Sequence, residues 1–67
     1  MAPLHISRQV LDDALLDANG NGAVVIRQIR DHLNAGGRVI VDEHNGSESL
    51  LQEDAGVFKT TPIADKS

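Results

Sequence analysis

Cysteine, tryptophan and tyrosine are absent from this 67-residue chain, and Phe58 is its only aromatic side chain. Without thiols, neither a disulfide framework nor a thiolate zinc site can form. A domain of this size buries only about 60% of the surface its unfolded chain exposes. Small scaffolds commonly gain further stability from disulfides, a metal or self-association. With the first of these removed, a bound ion, an oligomer or a compact regular fold remains. The core must be aliphatic. The scarcity of aromatics also removes the platforms on which single-stranded nucleic acids stack.

Positive charge is scarce as well. Lys and Arg number 6 against 10 Asp and Glu, giving a formal net charge of −4. Phosphate binding relies on clustered cations. Here only Arg27, Arg30 and Arg38 lie near one another, and Asp31 interrupts them. Nucleic acid is therefore disfavoured as a partner. No apolar run approaches the roughly 20 residues that span a bilayer. The opening Met1-Ala2-Pro3-Leu4-His5 lacks the cationic flank and apolar stretch of a signal peptide. The expected setting is the cytoplasm, with no membrane partner.

What is present reads as one small α+β domain over residues 1–63, followed by a polar tail over 64–67. A first helix is predicted from about Arg8 to Ala18. Ser7 is a suitable N-cap, because its hydroxyl can accept from an otherwise unpaired amide. Ile6 and Leu11 have the spacing of a hydrophobic staple. Val10, Leu11, Ala14, Leu15 and Ala18 form the apolar stripe, while Arg8, Gln9, Asp12 and Asp13 face outward. Leu16 lies off the stripe and must find cover elsewhere. After the break at Asn19-Gly20-Asn21-Gly22, where Asn and Gly tolerate positive φ, a second helix is predicted from about Ala23 to Asn34. Ile26, Ile29 and Leu33 make its buried stripe, Arg27 and Asp31 form an external i,i+4 pair, and Ala35-Gly36-Gly37 stops it.

Arg38 to Glu43 reads as a strand by its β-branched content. It leads into His44-Asn45-Gly46-Ser47, and Asn-Gly is the strongest short hairpin signal. A two-residue loop would pair Val41 with Leu50 and Ile40 with Leu51, but it would also set Glu43 opposite Glu48. The return from Glu48 to Glu53 is thus open between strand and short helix. Asp54-Ala55-Gly56 turns into a further strand over Val57 to Thr61, which Pro62 ends, and Leu4-His5-Ile6 can add an edge strand. The expected architecture is two helices packed on a small antiparallel sheet or hairpin. Its exposed edges would be covered by a two-fold homo-oligomer.

The sharpest local pattern is Asp17-Ala18-Asn19-Gly20-Asn21-Gly22. It resembles the start of an EF-hand or dockerin-type calcium loop, D-x-[DN]-x-[DN]-G. The resemblance implies Ca²⁺ held by Asp17, Asn19 and Asn21, since hard oxygen donors suit that ion. The twelfth position carries Gln28 in place of a bidentate Glu, and the ninth carries Val25. The plainer reading is a helix–helix turn, where Asn and Gly are favoured for backbone reasons. The order from Val10 to Leu33, followed by a strand pair, also looks like part of a winged-helix DNA-binding or dimerisation domain. Gly36-Gly37 leads into a strand where its recognition helix should follow.

Candidate chemistry is thin elsewhere. His5, His32 and His44 are far apart in sequence, and His44 beside Asp42 and Glu43 is the one local acid–imidazole grouping. Ser7, Ser47 and Ser49 have natural uses as capping or turn residues, and a nucleophilic triad needs a supported pocket. Catalysis is not expected. The reading that remains is a non-catalytic regulatory protein, an inhibitor or adaptor of bacterial or phage type. Its acidic residues Asp12, Asp13, Asp42, Glu43 and Glu48 would meet a partner protein with a basic surface.

Overall fold

The computed structural model describes residues 2–63. Strand β1 covers Leu4–Ser7, helix α1 Arg8–Leu16 and helix α2 Ala23–Asn34. Strands β2, β3 and β4 cover Val39–Asp42, Glu48–Asp54 and Val57–Pro62. The α+β class is as expected. Residues 64–67, read as a tail, lie outside the described residues.

The sheet is mixed, not antiparallel throughout. Its order is β1-β2-β3-β4, with β1 parallel to β2 and the other two pairings antiparallel. A parallel neighbour requires a crossover, and the α1–α2 pair provides it. The edge strand expected at Leu4-His5-Ile6 forms in this way, with Leu4 opposite Val39 and Ile6 opposite Val41. Glu48–Asp54 is strand, which resolves the open choice on that segment.

Local chemistry accounts for the helix boundaries. The Ser7 Oγ accepts from the Val10 amide at 3.2 Å, capping α1. The helix stops at Leu16, two residues short of the expected end, because Asp17 turns the chain. Its backbone carbonyl accepts from the Gly20 and Gly22 amides, at 3.0 and 2.9 Å. At the far end of α2, Gly36 takes φ +87°, and its amide reaches the Leu33 carbonyl while that of Gly37 reaches His32. This is the Schellman arrangement that satisfies the last carbonyls of a helix.

The core lies between the helix pair and one face of the sheet. Leu11, Ile29, Val39, Val41 and Leu51 are almost wholly buried there, with Leu4, Ile6, Val25, Leu33 and Phe58 packed around them. Side chains alternate along a strand, so Ile40, Asp42, Glu48, Leu50 and Gln52 project from the opposite face. No described element covers that face. Phe58 extends the core towards α2, where the Arg30 guanidinium stands 5.5 Å from the ring centroid and donates to Glu53 at 2.9 Å. The apolar stripe predicted for α1 is buried only at Leu11 and Ala14. Val10 and Leu15 are exposed, and Leu16, 87% exposed, finds no cover among the described residues.

The β2–β3 hairpin corrects the expected register. Val41 pairs with Ser49, Ile40 with Leu50 and Asp42 with Glu48. The loop therefore has three residues, His44-Asn45-Gly46, with Gly46 at φ +86° and the Glu43 amide donating to the Ser47 carbonyl at 2.9 Å. A turn closed by a left-handed glycine is the second preferred hairpin solution. It wins here because it brings Val39 and Val41 onto the core face together with Leu51. The two-residue loop would have paired the same face with Leu50.

Candidate functional site

The one-residue change of register distributes the hairpin acids between the two faces. Glu43 falls on the helix side with Ser49, while Asp42 and Glu48 fall opposite each other on the uncovered side. The five acidic residues read as one partner-binding set thus separate into three places.

On the helix side, Glu43 is enclosed. Arg8 meets it in a two-pronged pair, Nε donating to Oε1 at 2.8 Å and Nη2 to Oε2 at 2.7 Å. Ser49 Oγ also donates to Oε2 at 2.7 Å, and Arg8 Nη2 donates to Thr60 Oγ1 at 3.3 Å. Bidentate charge-assisted bonds of this kind are among the strongest in proteins. The Arg8 and Ser49 hydrogen bonds hold the Glu43 carboxyl down from the usual 4.5 to about 2. The same pair pushes Arg8 above its ordinary value. Arg8 was expected to face outward. It turns inward because β1 runs directly into α1, placing the first helical side chain over the hairpin end of β2. The cluster ties α1, the hairpin, β3 and β4 together, and three donors already stand on the partly exposed Glu43 carboxylate.

On the uncovered side, His5 of β1 joins Asp42 and Glu48. One ligand atom from each lies within 4.8 Å of the other two. His5 Nδ1 stands 3.3 Å from Asp42 Oδ1, and both side chains are about half exposed. The expected acid–imidazole grouping used His44; the imidazole beside Asp42 is instead that of His5. Only the parallel pairing of β1 with β2 brings it there, and no local sequence signal reports a contact across so long a separation. Beside this cluster, Ile40 is 8% exposed although no helix covers it, and Leu50 is half-buried.

Asp12 and Asp13 stay on the exposed surface of α1, with Asp12 Oδ1 3.6 Å from Arg8 Nη1. That is the i,i+4 ion pair the helices form; Arg27 and Asp31 make none among the described residues. Asp13 and Asp17 border a groove of about 330 Å³ between the helices, lined also by Val10, Asn21 and Val25. Asp17 Oδ2 accepts from the Asn21 amide at 2.9 Å, so the carboxylate of the calcium-like pattern closes the helix–helix turn. Gly20 and Gly22 do not take positive φ. Gly22 is needed for room, since a Cβ there would stand 2.2 Å from the Ala14 carbonyl oxygen.

Ser7 and Ser47 serve as the cap and turn residue expected of them, whereas Ser49, expected in the same kind of role, is buried within strand β3. Ser7 caps α1, Ser47 Oγ donates to Asn45 Oδ1 at 2.7 Å, and Ser49 donates to Glu43. Among the described residues, His32 Nε2 is buried without a hydrogen-bond partner. No helix among them is long and apolar enough to cross a membrane. Comparison with family models, curated proteins and solved structures gives no match for this chain.

Proposed function

We propose that this chain is a small non-catalytic binding protein, an inhibitor or adaptor acting in the cytoplasm, that engages a partner through the uncovered face of its sheet. The observation that carries this reading is the composition of that face. The half-buried Leu50, paired with the buried Ile40, gives it an apolar centre, and the opposed carboxylates Asp42 and Glu48 form its rim at the hairpin end. An apolar centre with a charged rim is the usual anatomy of a protein interface. Like charges placed directly across two strands weaken pairing, and cationic side chains of a partner would relieve that repulsion. The partner surface is accordingly basic. Self-association through the exposed edge strands β1 and β4 belongs to the same proposal, and light scattering on the purified chain measures it.

The test compares partner capture by the wild type with three variants, followed by binding measurements on purified components. Leu50→Asp and the double variant Asp42→Lys, Glu48→Lys should abolish capture. Asp12→Lys, Asp13→Lys should retain it. Binding should weaken as salt rises, because rim charges are screened. Equal capture by all variants refutes the reading, as does turnover of a small molecule that depends on His5 or Asp42 in a chain that remains folded.

A further inference from the structure

We infer that His5, Asp42 and Glu48 form a binding site for a divalent transition-metal ion of the Zn²⁺ class. The site goes beyond partner binding and does not depend on it. Its donors come from three adjacent strands: His5 from the middle of β1, Asp42 from the end of β2 and Glu48 from the start of β3. A sheet fixes these positions more firmly than a loop would. Asp42 and Glu48 are directly opposite in register, and His5 is diagonal to Asp42.

The spacing suits a small ion. Two ligands of a tetrahedral zinc at about 2.0–2.1 Å from the metal stand roughly 3.3–3.4 Å apart. His5 Nδ1 and Asp42 Oδ1 are already 3.3 Å apart. The Glu48 carboxylate, within 4.8 Å of both, closes the remaining distance by side-chain rotation. The donor set is one imidazole nitrogen and two carboxylate oxygens, so the charge of the ion balances that of the two acids. Imidazole favours zinc and its first-row neighbours over calcium and magnesium, which prefer oxygen alone. Neither carboxylate has a Lys or Arg within 4.0 Å among the described residues. A fourth position would face solvent and take water or a ligand atom from outside the chain.

The experiment is a Zn²⁺ titration of the metal-free full chain, followed by amide and imidazole NMR and by calorimetry. One ion per chain should bind with saturation in the micromolar range, and the shifts should centre on His5, Asp42 and Glu48. His5→Ala and Glu48→Gln should each weaken binding by about tenfold or more, as the loss of one of three ligands requires. His44→Ala should leave binding unchanged. All three positions are at least partly exposed, and the amide spectra of the variants verify that they fold; Asp42→Asn supplies an independent variant at the third ligand. Ca²⁺ at millimolar concentration should not shift His5. The inference is overturned if Zn²⁺ gives no saturable response, if His5→Ala binds as tightly as the wild type, or if the shifts centre on His32 or His44. Partner capture repeated in the presence of a chelator keeps the two proposals separable.

Discussion

Replacing Gly22 by alanine tests how closely the two helices approach. The added Cβ would lie 2.2 Å from the Ala14 carbonyl oxygen, 2.6 Å from its Cα and 2.8 Å from its carbonyl carbon. Relaxed contacts between such atoms fall near 3.5 Å, so the turn must open by about 1 Å or more. Every obstructing atom is backbone, and no rotamer change can clear it. Overpacking of this kind costs about 1–3 kcal/mol, and the absence of a flexible neighbour places Gly22→Ala near the upper figure. At about 0.05–0.15 kcal/mol per residue, 67 residues provide a total stability of only ~3–10 kcal/mol. Gly36→Ala is the control. There φ is +87° and nothing stands within 4 Å, so its cost is the left-handed strain of about 1–2 kcal/mol. Urea unfolding followed by far-ultraviolet circular dichroism measures both. Gly22→Ala should have the lower midpoint. A Gly22→Ala protein as stable as the wild type, or more stable than Gly36→Ala, refutes the close approach.

Other outcomes follow from the core, the turns and the clasp. Leu51→Ala removes a side chain 1% exposed at the centre of the core and should cost about 2–5 kcal/mol; a loss below about 1 kcal/mol in the same urea assay contradicts that placement. Ala55 and Gly56 both have positive φ, at +54° and +83°, as a type I′ turn demands. Ala55→Asn should therefore raise stability by about 0.5–1 kcal/mol, and a lower melting temperature speaks against the turn type. Glu43, lowered from 4.5 to about 2, stabilises the fold fully above its ordinary value and loses that contribution as pH falls from 4.5 through about 2. The wild-type urea midpoint should decline across that window, while Glu43→Gln starts lower and declines less. Parallel profiles for the two proteins would refute the Arg8–Glu43 pairing.

The parts of this fold that rest on neighbouring residues were legible. Ser7 as a cap, α2 from Ala23 to Asn34, and the stop at Gly36-Gly37 each follow from chemistry within one or two helical turns. The strand at Leu4–Ser7 was visible as a possibility, but its parallel pairing was not, because four residues carry no information about which distant strand they join. The hairpin register turned on a balance between two permitted loops at Asn45-Gly46. Core pairing of Val39 and Val41 with Leu51 decided it, and that balance lies outside the local sequence. The same shift explains why the site was only partly legible. Asp42 and Glu48 were singled out as acids near the hairpin, yet their partner His5 and the enclosure of Glu43 by Arg8 depend on contacts between residues 35 or more positions apart.

The Arg8–Glu43 clasp has a consequence for its sequence neighbour. Asp42 and Glu43 are consecutive, so anchoring one carboxylate on the inner side fixes the peptide that aims the other outward. Glu48 is held to the same strand end by its pairing with Asp42. Any ligand arriving at these two acids meets a preorganised backbone, and association forfeits little chain freedom there.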